Sequence, residues 1–306
     1  MIQDRINKLK QAQNAVILSH TYQPPEIQDM ADFVGDSYGL SKQAGDVTAD
    51  VIVFCGVRFM AETAAVLNRE RTVLMPDLRA GCPMADMITA DQLRKLKGEH
   101  PDAAVVCYVN SSADVKAEST VCCTSSNAVQ IVQALADAPE IIFVPDKYLG
   151  KFVERRTERN LILWEGYCPT HANVTADTIR QARTEHPDAA VMVHPECTPE
   201  VQDEADHVLS TGQMLDLVKQ TDRSQFIVGT EYGIIHTLKK AAPHITYVSL
   251  SSRLVCPNMK RVTLEKIRQS LETGRHRINV PPDIADGAEK AITRMLDIVE
   301  HGRTTF

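Results

Sequence analysis

The chain is predicted to be an α/β protein of three pseudo-symmetric α/β sandwich domains, each with a small parallel sheet around a shared centre. Three observations predict it. Short apolar runs alternate with helix-like stretches, the pattern of βαβ units. The runs are rich in Val, Ile and Phe with little alternation, as strands buried on both faces require. The pattern occurs three times, and each copy closes on a cysteine followed by proline. These are Cys82, Cys168 and Cys256, lying 86 and 88 residues apart.

Each unit opens on an apolar run that ends in a polar cluster. The first is NAVILSHTYQPPE, ending in His20 and Tyr22. The second is DAAVVCYVNSSAD, with Tyr108 and Asn110, and the third is DAAVMVHPECTPE, with His194 and Glu196. A hydroxyl-rich turn that opens a helix follows in each: GDSYGLSKQ with Ser37, CTSSNAVQIV with Ser125 and Ser126, LSTGQMLDLV with Ser210 and Thr211. Second apolar runs come next, DVIVFCG, EIIFVPD and QFIVGTE. An amphipathic stretch and a third short run (TVLMPD, LILWEG, ITYVSL) then lead to the Cys-Pro. The period is longer than that of solenoid repeats, so the units are domains and not an array. They are expected to span 84–169 and 170–256, with 1–83 and 257–306 forming the first. In the last segment, TLEKIRQSLETG reads as a helix with Thr263 as N-cap and Gly274 past its end. A second helix over PPDIADGAEKAITRMLDIVEH follows, and both are expected to pack on the first unit.

Composition bounds the function. The formal charge of −7 and the lack of a basic run argue against nucleic acid as a partner. The N-terminal MIQDRINKLKQAQ is a polar amphipathic helix without an apolar signal core. No apolar stretch approaches the roughly 18 residues of a membrane span, so a cytoplasmic protein without membrane contact is expected. Eight cysteines in such a chain point to reduced, metal-bound or catalytic thiols. No CxxC pair signals a zinc ribbon or a thioredoxin-type site.

One thiolate from each of three units suits a shared metal centre and leaves a coordination position for substrate. Zinc with three protein ligands and an iron–sulfur cluster both fit this pattern. Cys55 and Cys107 sit inside apolar runs and read as core. Cys122, Cys123 and Cys197 read as packing beside the site. Ligands of open α/β sheets bind beyond the carboxyl ends of the strands, where His20, Tyr108, Asn110 and His194 fall. Histidine, tyrosine and glutamate can relay protons. Ser37, Ser125 and Thr211 read as helix N-caps or as anion-binding hydroxyls at helix starts. Arg58, Glu62, Lys147, Glu231 and His236 follow the second runs and either pair between domains or line the pocket.

Several longer segments carry a resemblance: PEIQDMADFVGDS, VIVFCGVRFMAETA, AGCPMADM, YVNSSADVKAESTVCCTSSNAV, HPE at 194–196, GTEYGIIHTL and CPNM. Over nearly its whole length the chain resembles the quinolinate synthase A family of de novo NAD biosynthesis. The resemblance implies three domains around one 4Fe-4S cluster held by Cys82, Cys168 and Cys256, with the remaining iron acting as a Lewis acid on substrate. It implies condensation of iminoaspartate (iminosuccinate) with dihydroxyacetone phosphate to quinolinate, releasing phosphate and water. It also implies a functional link to L-aspartate oxidase or aspartate dehydrogenase as the source of the imine. It places substrate binding on His20, Ser37, Tyr108, Val109, Asn110, Ser125, His194, Pro195, Glu196 and Thr211. Proton transfer is carried over to His20, Tyr22, Tyr108 and Glu196, and His171 falls near the cluster. Some longer members have a further cysteine where this chain has Arg253, so thiol–disulfide control is not expected. The GDS and HPE sites alone do not fix which acid binds.

Overall fold

Among the described residues, 1–302, of the computed structural model, twelve strands form three four-stranded sheets. Residues 303–306, assigned above to the first unit, lie outside them. The first sheet contains β1 (Ala15–His20), β2 (Phe33–Gly35), β3 (Val51–Cys55) and β4 (Thr72–Leu74). The second contains β5 (Ala103–Tyr108), β6 (Val121–Cys123), β7 (Glu140–Val144) and β8 (Ile162–Leu163). The third contains β9 (Ala190–Val193), β10 (His207–Val208), β11 (Gln225–Gly229) and β12 (Thr246–Ser249). All pairings are parallel, and each sheet runs second–first–third–fourth. The strand order reverses beside the first strand of each unit, the place where such sheets bind ligands.

The second strands β2, β6 and β10 were not expected. At two or three residues they are too short to show a pattern. They matter because they pair with the last residues of the first strands: His20 with Gly35, Tyr108 with Cys123, Val193 with Val208. That pairing brings each hydroxyl-rich turn beside its polar cluster.

Alternate residues of the central strands face opposite sides. In β1, Leu18 joins a large core shared by all three units, while Ile17 faces a smaller core with Ile6 and Ile267. In the third sheet, Val228 faces the shared core and Ile227 an outer one with Ile179. The shared core is what holds the three units around one centre.

The helix Leu264–Thr273 is capped by the Thr263 side chain and ended by Gly274 at φ 62, as expected. It packs on the helix Ile2–Ala12 and on β3 of the first unit. The sequence reading placed the helix Pro282–His301 on the first unit too. It bridges instead, lying along the helix Ala113–Ala117 and β6 of the second unit while also touching the helix Arg58–Leu67. Gly287 allows this, because a Cβ there would come within 2.9 Å of the Ala117 Cβ and carbonyl oxygen. No described helix is long and apolar enough to cross a membrane.

Candidate active site

The strand ends of the three units open on one cavity. His20, Tyr22, Tyr108 and Glu196 line it, as do Cys82, Cys168 and Cys256. So do Ser37, Asn110, Ser125, His194 and Thr211. Two expected residues are not on its wall. Val109 lines a separate small cavity behind it. Pro195 is buried, and its carbonyl accepts a hydrogen bond from Gln202 Nε2 at 2.9 Å.

The first and third units build their polar clusters alike. His20 Nδ1 accepts the Tyr22 N–H (3.1 Å), and His194 Nδ1 accepts the Glu196 N–H (3.3 Å). This leaves the proton of each neutral ring on Nε2. His194 Nε2 then lies 3.2 Å from Ser125 Oγ. Burial pushes both histidines down to about 3, against the pull of the Glu196 carboxylate. They are therefore neutral donors near pH 7.

Each cluster is braced from behind by one buried side chain. Gln28 Nε2 donates to the carbonyls of Thr21 (2.9 Å) and Gln23 (2.8 Å). Gln202 Nε2 donates to those of Pro195 (2.9 Å) and Cys197 (2.7 Å). Lys116 Nζ takes the same role in the second unit, donating to Ser111 O at 2.8 Å, while Ser111 Oγ donates to Tyr108 O at 2.9 Å. Replacing Gln202 by Leu strips two buried carbonyls of a donor. The expected loss is about 1–3 kcal/mol of stability, measurable by urea unfolding.

The hydroxyl-rich turns differ from the N-cap expectation for the three candidates. Asp36 caps the helix Ser37–Asp46, its Oδ1 accepting the Gly39 N–H at 2.8 Å. Ser210 caps the helix Thr211–Gln220. Ser37 and Thr211 are thus first helical residues, and their hydroxyls are not used as caps. Ser125 precedes the helix Ala128–Ala134, whose cap position is Asn127. Asp36 also lines the cavity and was not anticipated. Its second oxygen lies against the start of Thr211–Gln220, where a Cβ on Gly212 would be 2.6 Å away. Burial pushes this carboxyl up, although the Gly39 and Gly212 N–H groups oppose it.

Glu196 is the hub of a buried hydrogen-bond chain. Its Oε1 accepts the Tyr108 O–H (2.6 Å) and an Asn110 Nδ2–H (3.3 Å). Its Oε2 lies 2.7 Å from His171 Nδ1. His171 Nε2 is 2.8 Å from Thr230 Oγ1, which is 2.6 Å from the Tyr22 hydroxyl. Tyr22, Thr230, His171, Glu196 and Tyr108 therefore form one unbroken chain across all three units. Burial alone would raise the Glu196 carboxyl, but His194, His171 and the Tyr108 hydrogen bond outweigh it and hold it below the usual range. Both tyrosines are pushed well up, by burial first and then by that carboxylate. Thr230 was not singled out in the sequence.

The cysteine loops are pinned alike. Arg58 N–H bonds Ala80 O, Lys147 N–H bonds Gly166 O, and Tyr232 N–H bonds Leu254 O, each at 2.9 Å. Each bond fixes the backbone two residues before a cysteine. Burial pushes the thiol of Cys82 up to about 12, that of Cys168 well up, and that of Cys256 up. A thiolate here needs a strongly positive partner, and a bound metal is one. Three soft sulfur donors facing one cavity fit an iron–sulfur group. A second donor set, Cys168, His171 and Glu196, has ligand atoms within 4.8 Å of one another. His171 Nδ1 there already serves Cys168 Sγ (3.2 Å) and Glu196, so its own hydrogen bonds account for the grouping.

The other residues sort plainly. Cys55, Cys107, Cys122, Cys123 and Cys197 are fully buried. Arg58 pairs with Glu62, Lys147 with Glu165 and His236 with Asp29. Of that group only Glu231 lines the main cavity.

A profile of the family described as quinolinate synthetase A protein matches residues 4–297. The quinolinate synthase of Methanosarcina barkeri is 51% identical over 295 residues, covering 96% of this chain and 97% of its own. That of Methanoregula boonei is 51% identical over 296 residues, covering 97% and 98%. That of Dehalococcoides mccartyi is 51% identical over 299 residues, covering 98% and 99%. With nearly every residue matched, the chain is an enzyme and belongs to the quinolinate synthetase A protein family.

Proposed function

We propose that the enzyme condenses iminoaspartate with dihydroxyacetone phosphate to quinolinate, with a 4Fe-4S cluster held by Cys82, Cys168 and Cys256. The observation that carries this reading is one cavity receiving a cysteine loop from each unit together with the acid–base chain through Glu196. The stoichiometry is redox-neutral: one phosphate and two waters leave, and no oxidant is needed. When bound, the cluster would supply Lewis acidity from the iron without a cysteine ligand.

The remaining work falls to side chains. Ser37 and Thr211 hydroxyls, with the helix-start N–H groups that Asp36 and Ser210 leave unpaired, suit the carboxylates and phosphate of the substrates. Neutral His20 and His194 offer Nε2–H donors to substrate oxygens without adding charge. Asn110 Oδ1 is buried with no partner, so it is an acceptor for the substrate N–H. Glu196 is the ionised group that takes a carbon-bound proton, and Tyr108 and Tyr22 return protons to departing oxygens. Keeping bulk water from the imine, which hydrolyses readily, would be a further task of the closed site. An aspartate-oxidising enzyme, L-aspartate oxidase or aspartate dehydrogenase, would supply that imine.

The test is anaerobic purification, iron and sulfide analysis, and a quinolinate assay with freshly made imine. The same assay is run on Cys82→Ala, Cys168→Ala and Cys256→Ala. About four irons and four sulfides per chain are expected, with product from the wild type and none from the variants. Zinc or no metal, with activity surviving all three substitutions, overturns the reading.

A further inference from the structure

The third cysteine is held differently from the other two. Cys82 and Cys168 each begin a helical turn, their carbonyls accepting the N–H of Asp86 (3.1 Å) and Ala172 (2.9 Å). Cys256 is followed by turns until the helix Leu264–Thr273. An ion pair takes the place of the missing helix. Glu231 Oε1 accepts the Cys256 N–H (3.2 Å), and its Oε2 accepts the Gly233 N–H (2.8 Å). Lys260 Nζ lies 2.9 Å from Glu231 Oε1 and also donates to the Tyr22 carbonyl. The Glu231 side chain is wholly buried and that of Lys260 is 17% exposed.

Two side chains thus join three distant segments: the end of β1 at Tyr22, the end of β11 at Glu231, and the Cys256–Lys260 loop. Gly233 closes the knot. A Cβ there would lie 2.7 Å from Tyr22 O and 2.8 Å from both Glu231 Oε2 and Lys260 Nζ. The equivalent strand-end positions, those just before Arg58 and Lys147, lack the device. Val57 is apolar, and Asp146 caps the helix Lys147–Thr157 through Oδ1. A buried ion pair is a poor source of stability compared with apolar packing. Its retention in one unit of three therefore calls for a role in geometry.

We propose that Glu231 and Lys260 are positioning residues that couple the Cys256 loop to Tyr22. Holding Cys256 in place for ligation also fixes the backbone that carries the Tyr22 hydroxyl. This rests on the proposed roles of Cys256 as ligand and Tyr22 as proton donor.

The test uses the holoenzyme and three variants: Lys260→Met, Lys260→Arg, and the double change Glu231→Gln with Lys260→Met. Two quantities are read: the rate of iron release to a chelator, and kcat per bound iron beside KM. Lys260→Met is expected to release iron about 10–100-fold faster, the range for residues that orient metal ligands. Its kcat per iron is expected to fall about tenfold or more with KM nearly unchanged, since misplacing one reacting group can cost as much as a hundredfold. Lys260→Arg is expected to recover most of both. The double variant, which strands no charge, is expected to match Lys260→Met, and it carries the test if the single variant does not fold. Wild-type iron release and kcat in Lys260→Met overturn the coupling. So does full recovery in the double variant, which would assign the defect to a stranded carboxylate. A wild-type enzyme without iron overturns the ligand reading and this coupling together, and iron analysis of the wild type separates that case from the others.

Discussion

Replacing Glu196 by Gln is expected to lower kcat by about 10²–10⁴-fold, the range for loss of a positioned acid–base group, while iron content stays at the wild-type level. Glu196 accepts from Tyr108 and Asn110 at one oxygen and faces His171 at the other. Glutamine can accept at only one of those places. Its NH₂ would face either the His171 ring or the Tyr108 hydroxyl, donor against donor. The charge that makes the group a base is also gone. Stability should fall as well. The surrounding donors outweigh burial and favour the carboxylate in the folded state, so neutralising it loses that contribution and leaves a buried polar group poorly paired. A melting temperature lowered by a few degrees, beside a collapsed kcat in the folded and iron-loaded variant, is the expected pair of results. A kcat within tenfold of wild type would overturn the assignment of Glu196 as the base.

The parts of this site that repeat were legible in the sequence. His20 with Tyr22 and His194 with Glu196 recur at matching strand ends, and the same turn geometry places both. The three cysteine loops were legible for the same reason, and one backbone bond per unit pins each of them two residues before its cysteine. What failed to show was set by contacts across units. Thr230 joins the proton chain only because it meets Tyr22, 208 residues away. Asp36 reaches the start of Thr211–Gln220 in another unit. The helix Pro282–His301 is placed by the close approach of Gly287 to Ala117, which no periodicity encodes. Val109 and Pro195 followed from motif membership, and a backbone that serves a motif does not by itself put a side chain on the wall. What the cysteines hold was open on donor chemistry alone, since three thiolates suit zinc and a cluster equally. Iron and sulfide analysis is what separates the two.

The substitution Gly166→Ala is expected to damage folding and metal binding together. Gly166 lies two residues before Cys168, and its carbonyl accepts the Lys147 N–H at 2.9 Å. It also bridges to Asp146 just past the end of β7. A Cβ at position 166 would stand 2.3 Å from the Pro145 carbonyl oxygen and 3.3 Å from its carbonyl carbon. These are backbone atoms, so no side-chain rotation relieves the overlap. Either the end of β7 or the Cys168 loop must move. Overpacking of this kind costs about 1–3 kcal/mol, and a shift of the loop carries the Cys168 sulfur away from the other two. The melting temperature should fall by several degrees, and iron per folded chain should fall well below the wild-type ratio. Gly98→Ala is the control. A Cβ there meets nothing within 4 Å, and the residue lies in the helix Ala90–Glu99. Alanine at that position should stabilise by up to about 1 kcal/mol and leave iron binding alone. If Gly166→Ala keeps both wild-type melting and wild-type iron, the contact between the Cys168 loop and β7 is not what aims the second ligand. The burden would then pass to the helical turn that Cys168 opens, where its carbonyl holds the Ala172 N–H.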